Sequence, residues 1–471
     1  MTWRPHSSID WWRKRIVFLA LVISGAAVLG WVGIWNGYPL LASDSTGYIT
    51  GAFEGGVEAR RPSFYPMLVA ALSWRESLWP VIAFQCLLAS ACLFALVRVT
   101  VPHRSAATFL LAVSAAALLT PLPWFTARLM PDVFAGILGL AVYLLVFAAD
   151  RPISRAGRAA LLAVVAVGVV CHVANLFIVV AGLLLGLAGW RFLGGALGAL
   201  LRPAAAVLTV VGTAAMAVCG LNWQANAAFT LTTESHAWTM ARLVRFGVAQ
   251  QLLEDRCTST AYALCPYRER LSTAPDHFIY AADSPLHDLG GVEGSRDALR
   301  PIIEDANAHY AGMQAAAAVR AAVEQFAMVY LRMGLGTHRQ SGLTGPPAAL
   351  KRYLPGEYDA YEAGRQRAGT LHIEGFNAVI VPAAWLSMAG AVGLLLFGWL
   401  RRDHALAGMV LFFVSWIVGN AVVMGVLNAP FDRYQARVIW LMPVIFTVAA
   451  VPAIRRLRTA RAGAAFPARP S

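Results

Sequence analysis

The sequence predicts an all-α polytopic membrane protein, with about ten transmembrane helices and a mostly helical domain outside the cytoplasm. Three observations carry that prediction. Hydrophobic residues fill 58% of the 471 positions and charged residues only 13%, where a soluble domain carries about a quarter charged; mean hydropathy is +0.60. Apolar runs near the roughly 20 residues that a bilayer demands recur along the chain. The charges are sorted: basic residues cluster at alternate ends of these runs, and only three of the 25 acids sit among those clusters. This composition excludes an ordinary soluble enzyme and a disordered chain. The net charge of +13 follows the distribution of membrane-flanking arginines, so no nucleic-acid partner is expected.

The predicted spans are 16–36, 78–98, 106–123, 131–149, 158–172, 173–190, 203–221, 377–399, 405–427 and 436–454. Arg13-Lys14-Arg15 precedes the first. Its length and the lack of a small-residue cleavage site make it a retained anchor rather than a signal peptide. The run between Arg158 and Arg191 is long for one span and short for two. Charge parity reads it as a hairpin, with His172 and Asn175 near its outer tip. Every basic cluster then falls on one side, which the positive-inside rule assigns to the cytoplasm together with both termini. The chain divides into an N-terminal membrane region, 1–221, with a first outer loop at 37–77; an extracytoplasmic helical domain, 222–376; and a C-terminal membrane region and tail, 377–471.

Segment 222–376 holds 16 of the 25 acidic residues. Apolar residues at helical spacing recur in 236–253 and 309–333, interrupted by Arg242, Arg245, Arg320 and Glu324, a pattern of amphipathic helices rather than spans. Arg242 and Arg245 are candidates for facing substrate or the membrane surface. The Gly- and Pro-rich stretch 334–356 reads as a loop. Cys257 and Cys265 are the segment's two cysteines; a disulfide suits an oxidising compartment, with two free thiols as the alternative. Cys86, Cys92, Cys171 and Cys219 fall in spans and read as packing residues. Internal repeats are absent, which counts against a transporter built from two matching halves.

Nine acids lie outside that segment. Asp10, Asp150 and Asp403 sit among basic clusters. Asp44, Glu54, Glu58, Glu76, Asp132 and Asp432 all fall on the outer side. Ionisable groups at the membrane boundary are costly and mark candidate sites. Asp44 stands in Ser43-Asp44-Ser45-Thr46-Gly47-Tyr48, just after the first span, and Arg60-Arg61-Pro62-Ser63-Phe64-Tyr65-Pro66 follows. Met130-Pro131-Asp132 opens the fourth span, and Phe431-Asp432-Arg433-Tyr434 precedes the last. Each has a structural alternative. Asp44 could cap a helix beginning at Ser45, and Asp132 could complement a helix dipole. Arg60 and Arg61 could contact headgroups, and Asp432 with Arg433 could form a local ion pair. His172 and Asn175 could be satisfied structural residues, and Tyr48, Tyr65 and Tyr434 belt aromatics.

Taken in order, side and spacing, these motifs resemble the GT-C superfamily of membrane glycosyltransferases, and within it the family-39-like members that use polyprenyl-phosphate sugars. The likeness covers the first seven spans and the last outer loop. It departs from many relatives in having one acid after the first span instead of an adjacent pair, and in the position of its large segment. The resemblance implies an inverting transfer of a sugar from a polyprenyl-phosphate donor to a lipid, glycan or protein acceptor, at the periplasmic face of a bacterial inner membrane. Asp44 would serve as base or metal ligand (Mg²⁺ or Mn²⁺ being the candidate ions), and Asp132 as a second catalytic acid. Arg60, Arg61 and Arg433 would hold phosphate. Tyr48, Tyr65, His172, Asn175 and Tyr434 would line the substrate site, and membrane lipids would surround the whole. Two other classes remain open: a lipid-linked glycan flippase, and a cell-envelope glycan polymerase or ligase.

Overall fold

A computed structural model describes residues 8–55, 64–332, 335 and 345–465. Among these the chain is helical, with no strand and one isolated bridge between Leu40 and Arg128. The principal helices are α1 (Ser8–Leu29), α2 (Ser45–Glu54), α3 (Phe64–Ser73), α4 (Trp79–Thr100), α5 (Ser105–Leu119), α6 (Pro131–Phe147), α7 (Arg155–Cys171), α8 (Val173–Phe192) and α9 (Gly198–Asn226). They continue with α10 (Ser235–Arg245), α11 (Val248–Arg256), α12 (Arg296–His309), α13 (Ala311–Ala327), α14 (Gly345–Tyr353), α15 (Pro355–Glu362), α16 (Ile373–Leu400), α17 (His404–Leu427), α18 (Asp432–Ile439) and α19 (Leu441–Ala465).

Among the described residues, six helices are long and apolar enough to cross a membrane: α4, α8, α9, α16, α17 and the α18–α19 run Asp432–Arg456. They coincide with six of the ten predicted spans. The runs predicted at 16–36, 106–123, 131–149 and 158–172 are helical but shorter or interrupted. The apolar part of α1 is Arg15–Leu29, α5 has 15 residues and α7 has 17. α6 opens on a 3-10 turn at Pro131–Val133 and closes on a π turn at Tyr143–Phe147, irregularities common at helix ends and in single-turn bulges.

The 158–190 run does break at His172, whose backbone is extended (φ −154°, ψ 109°). α7 and α8 double back on each other. Arg158 donates to the Ala149 carbonyl beyond the far end of α6, Trp190 lies against Gly408 at the start of α17, and the His172 elbow returns to the neighbourhood of Asp132. Helix ends therefore fall into two sets. One gathers Thr100 with Met409 and Asp403 with Arg456. The other gathers Asp44, Asp132, His172 and Arg433.

The bundle packs by placing glycine on one helix against a large ring on another, as close helix approach in a membrane requires. A Cβ at Gly136 would lie 2.5 Å from Trp440, one at Gly182 2.5 Å from Trp416, and one at Gly186 2.8 Å from Phe412. The same device seats α13 on α17, where a Cβ at Gly425 would come 2.6 Å from the Ala321 carbonyl.

Within 222–376 most buried apolar residues among those described belong to two clusters. Ala237 to Ala306 form a core of their own from α10, α11, α12 and intervening turns. Val329, Leu331, Leu350, Leu354 and Tyr361 join the core of the long helices. The separate core carries the Cys257–Cys265 disulfide and the Arg256–Asp305 pair at 3.1 Å. A hydrogen bond from Tyr262, and then the charge of Arg256, hold the Asp305 carboxyl below the usual carboxylate range. The loop expected over 334–356 is helical from Gly345 onward, as α14. Its prolines, Pro346 and Pro347, occupy the first turn, where a missing N–H is harmless and a fixed φ helps.

Candidate functional site

The site begins at the first loop. Leu40 donates to the Ala127 carbonyl (2.9 Å) and its own carbonyl accepts from Leu129 (3.0 Å), which fastens the loop to the strip leading into α6. Ser45 Oγ donates to the Leu129 carbonyl at 3.0 Å. From outside, the loop is clasped by the segment around α15. Tyr38 donates to Glu357 at 2.6 Å, and the Leu41 amide donates to Gln366 at 3.0 Å. With its backbone so held, α2 begins beside the α6 entrance.

Asp44 stands at the first residue before α2, yet its carboxylate makes no capping bond there. It accepts instead from Arg433 Nη1 at 3.2 Å, across 389 residues of chain. Deeper lies a second pair of the same chemistry. Arg437 Nη1 donates to Asp132 Oδ1 at 3.1 Å, and its Nη2 donates to Asn420 at 3.3 Å. The pairs differ in wetting: Asp44 and Arg433 side chains are 26% and 19% exposed, Asp132 and Arg437 1% and 0%. One pair forms a lip and the other a floor. The Tyr434 ring stands between the guanidiniums, which lie 5.3 Å (Arg433) and 5.4 Å (Arg437) from its centre, a favourable cation–π arrangement.

α18 supplies Arg433, Tyr434 and Arg437, and its entry is clamped. Gln325 of α13 accepts from the Phe431 amide at 2.9 Å and donates to the Phe431 carbonyl at 3.0 Å. Asp432 pairs with Arg332 at 3.4 Å, so in place of the local Asp432–Arg433 pair that the sequence left as an alternative there is a tether to the segment after α13.

Of the residues singled out in the sequence, Asp44, Asp132, Arg433 and Tyr434 come together here. Tyr48 and Tyr65 are buried neighbours in edge-to-face contact at 4.8 Å. Tyr65 donates to Gln85 at 2.8 Å, and Gln85 in turn donates to the Thr126 and Arg128 carbonyls. His172 keeps a buried Nδ1 with no hydrogen-bond partner among the described residues. Asn175 is fully buried and donates to the Gly168 carbonyl at 2.8 Å, which stitches the elbow from inside. Arg60 and Arg61 lie outside the described residues. Arg242 and Arg245 serve as ties: Arg242 donates to the Val426 carbonyl at 3.1 Å, and Arg245 pairs with Glu324 at 3.1 Å.

Three participants escaped the sequence reading: Arg128, Arg437 and Asn420. The first two were visible as lone arginines in apolar surroundings, 127–130 and the head of the last span, where an ionisable residue marks a site by default.

Among the described residues, the guanidiniums of Arg128, Arg433 and Arg437 and the carboxylates of Asp44 and Asp132 make up this cluster. Among the described residues no group of three His, Cys, Asp or Glu side chains is placed to hold a metal. Both acids face arginines, and such a donor set suits an anion. Two cavities lie elsewhere, one of about 420 Å³ beside Arg401 and Arg456 and one of about 290 Å³ between α10 and α12. No family model, curated protein or solved structure matches the chain.

Proposed function

We propose that this chain is an inverting glycosyltransferase of the GT-C type, moving a sugar from a polyprenyl-phosphate donor to a lipid, glycan or protein acceptor. In this reading about ten spans cross a bacterial inner membrane, both termini are cytoplasmic, and 222–376 faces the periplasm. The observation that carries the reading is the Asp44–Arg433 pair, an acid after the first span meeting an arginine before the last at a half-wet lip. The segregation of helix ends, with Arg401, Arg402 and Arg456 at the end opposite the site, supports the orientation.

The acceptor hydroxyl attacks the anomeric carbon, and the bond from that carbon to the phosphate oxygen breaks. The acceptor proton passes to Asp44, whose carboxylate faces the Arg433 guanidinium. The electron pair leaves on the polyprenyl phosphate, where Arg433 meets the developing charge. Arrival of the donor phosphate at Arg433 competes with Asp44 for the same N–H groups and so frees the carboxylate for the proton. A positioned base contributes about 10²–10⁴-fold. Asp132, held by Arg437 and Asn420, fixes the floor, and Tyr48, Tyr65, His172 and Asn175 form the wall.

The test is Asp44→Asn in purified protein with a polyprenyl-phosphate sugar. Transfer should fall by about 10²-fold or more with donor binding retained. Undiminished turnover removes Asp44 from the chemistry. Translocation of lipid-linked sugar in liposomes, with no transfer at all, would replace this reading by the flippase.

A further inference from the structure

The larger cavity lies at the end of the bundle opposite the acid–arginine site, where α16 ends, α17 begins and α19 passes Arg456. It holds about 420 Å³ and is lined by Phe397, Arg401, Arg402, Asp403 and Arg456. The carboxylate of this lining is already engaged. Asp403 accepts from the Leu406 amide at 3.3 Å, as the cap of α17, and pairs with Arg456. The Arg401 guanidinium lies 5.9 Å over the Phe397 ring. Among the described residues neither Arg401 nor Arg402 has an ion pair, and both are exposed. The chain after Asp432 contains no further acidic side chain, so nothing in the rest of α19 answers them with a carboxylate.

The backbone is bent to present these arginines. α16 closes on a turn in which the Asp403 amide donates to the Gly398 carbonyl (2.7 Å) and the Arg402 amide to the Trp399 carbonyl (3.0 Å). Such a turn holds one residue in the left-handed region, where glycine is customary because it has no Cβ. Here that residue is Arg402, at φ 55°. A side chain kept at a strained position marks a place where that side chain has a use. Around the recess the same helix ends are apolar: Leu400 is 75% exposed, Trp399 57% and Ile454 49%. Exposed tryptophan is the residue of the membrane–water boundary.

We propose that this recess binds the phosphodiester of an anionic phospholipid, with Arg401 and Arg402 as its ligands and the acyl chains against the apolar ends of α16 and α19. The inference rests on the membrane character of the bundle and is independent of the glycosyl-transfer reading. A guanidinium is a planar fork of N–H groups that matches a phosphate, and basic pockets between spanning helices lodge anionic lipid headgroups. A free phosphate ester would meet the same forks, but only a lipid also covers Trp399 and Leu400. A zwitterionic headgroup would bring its own cation towards the two arginines, which favours the anionic class. A lipid seated here bridges α16, α17 and α19. Two of these carry the acid–arginine site at their other ends, α17 through Asn420 and α19 through Arg433 and Arg437 of the continuous α18–α19 run.

The experiment measures binding of dioleoylphosphatidylglycerol to the full-length chain in neutral detergent by native mass spectrometry and by the shift in unfolding temperature. Dioleoylphosphatidylcholine, glycerol phosphate and inorganic phosphate are measured alongside. The wild-type chain should bind phosphatidylglycerol more tightly than phosphatidylcholine and unfold later in its presence. Arg401→Gln and Arg402→Gly should each weaken phosphatidylglycerol by about tenfold or more, the value of one hydrogen bond to a charged group, and leave phosphatidylcholine unchanged. Arg191→Gln removes an arginine from the end of α8 and should leave phosphatidylglycerol affinity as it was. Arg402→Gly also separates ligand from scaffold. Glycine suits the turn, so the lipid-free variant should unfold no earlier than wild type, yet lose most of the thermal gain from phosphatidylglycerol. If Arg401→Gln does not fold, Arg402→Gly decides alone. Unaltered phosphatidylglycerol affinity in the variants overturns the proposal. So does an equal loss in Arg191→Gln, which marks general attraction between charges, and so does a full thermal gain in Arg402→Gly. Glycerol phosphate or inorganic phosphate binding as tightly as phosphatidylglycerol overturns the lipid identity of the ligand.

Discussion

The two acid–arginine pairs are alike in chemistry and unlike in energetics. Asp132 and Arg437 are dry, so each has lost its hydration and depends on the other. Removing one partner strands a buried charge, at a cost of about 3–5 kcal/mol. Asp44 and Arg433 retain contact with water, and solvent screening reduces their pair to about 1 kcal/mol or less. Arg437→Met should therefore lower thermal stability far more than Asp44→Asn does. Unfolding of the detergent-solubilised protein reads the difference, and equal losses would contradict the division into floor and lip. At this scale the sequence exposes candidates and hides partners. Asp44 stands out as a lone acid after an apolar run. Nothing local links Asp132 to Arg437, 305 residues away, because a buried ion pair is set by where two helices end in space.

At the scale of the element, the packing between helices is written in glycines and tryptophans. A methyl group at Gly136 would collide with the Trp440 indole, whereas nothing lies within 4 Å of one at Gly393. Gly136→Ala should destabilise by about 1–3 kcal/mol, the usual cost of overpacking. Gly393→Ala should be neutral or gain up to about 1 kcal/mol from helix propensity. Matched melting curves of the two variants check this, and a tolerated alanine at Gly136 would show that the α6–α19 contact is looser than the geometry implies. Long apolar runs were legible as helices because periodicity and length are local properties. The α14 helix was not, since proline and glycine content reads as a loop unless the prolines are known to sit in a first turn. The limits of α6 were read to within two residues, but its 3-10 and π turns were not, because such turns leave no imprint on hydropathy.

For the whole molecule the governing feature is the sorting of helix ends. It predicts which surfaces a membrane-impermeant reagent reaches. In a Cys219→Ser background, Thr273→Cys should be labelled by an impermeant maleimide in intact spheroplasts, and Arg401→Cys only after the membrane is opened. Labelling of both from one side would refute the orientation. The α14–α15 segment and the α13–α17 contact also act at this scale. They bring parts of 222–376 onto the first loop and onto the entry of α18, so this segment helps to hold the site together.

Membrane character, helical class and the break near His172 were legible in the sequence, since hydropathy and charge parity act over short stretches of chain, whereas the pairing of Cys257 with Cys265 stayed open there against two free thiols and was decided by the structure. The meeting of Asp44 with Arg433, the burial of Arg128 and the split of 222–376 between two cores were decided only in the tertiary structure. The reason is physical: a buried charge takes its meaning from neighbours within a few ångströms, and those neighbours arrive from helices hundreds of residues apart.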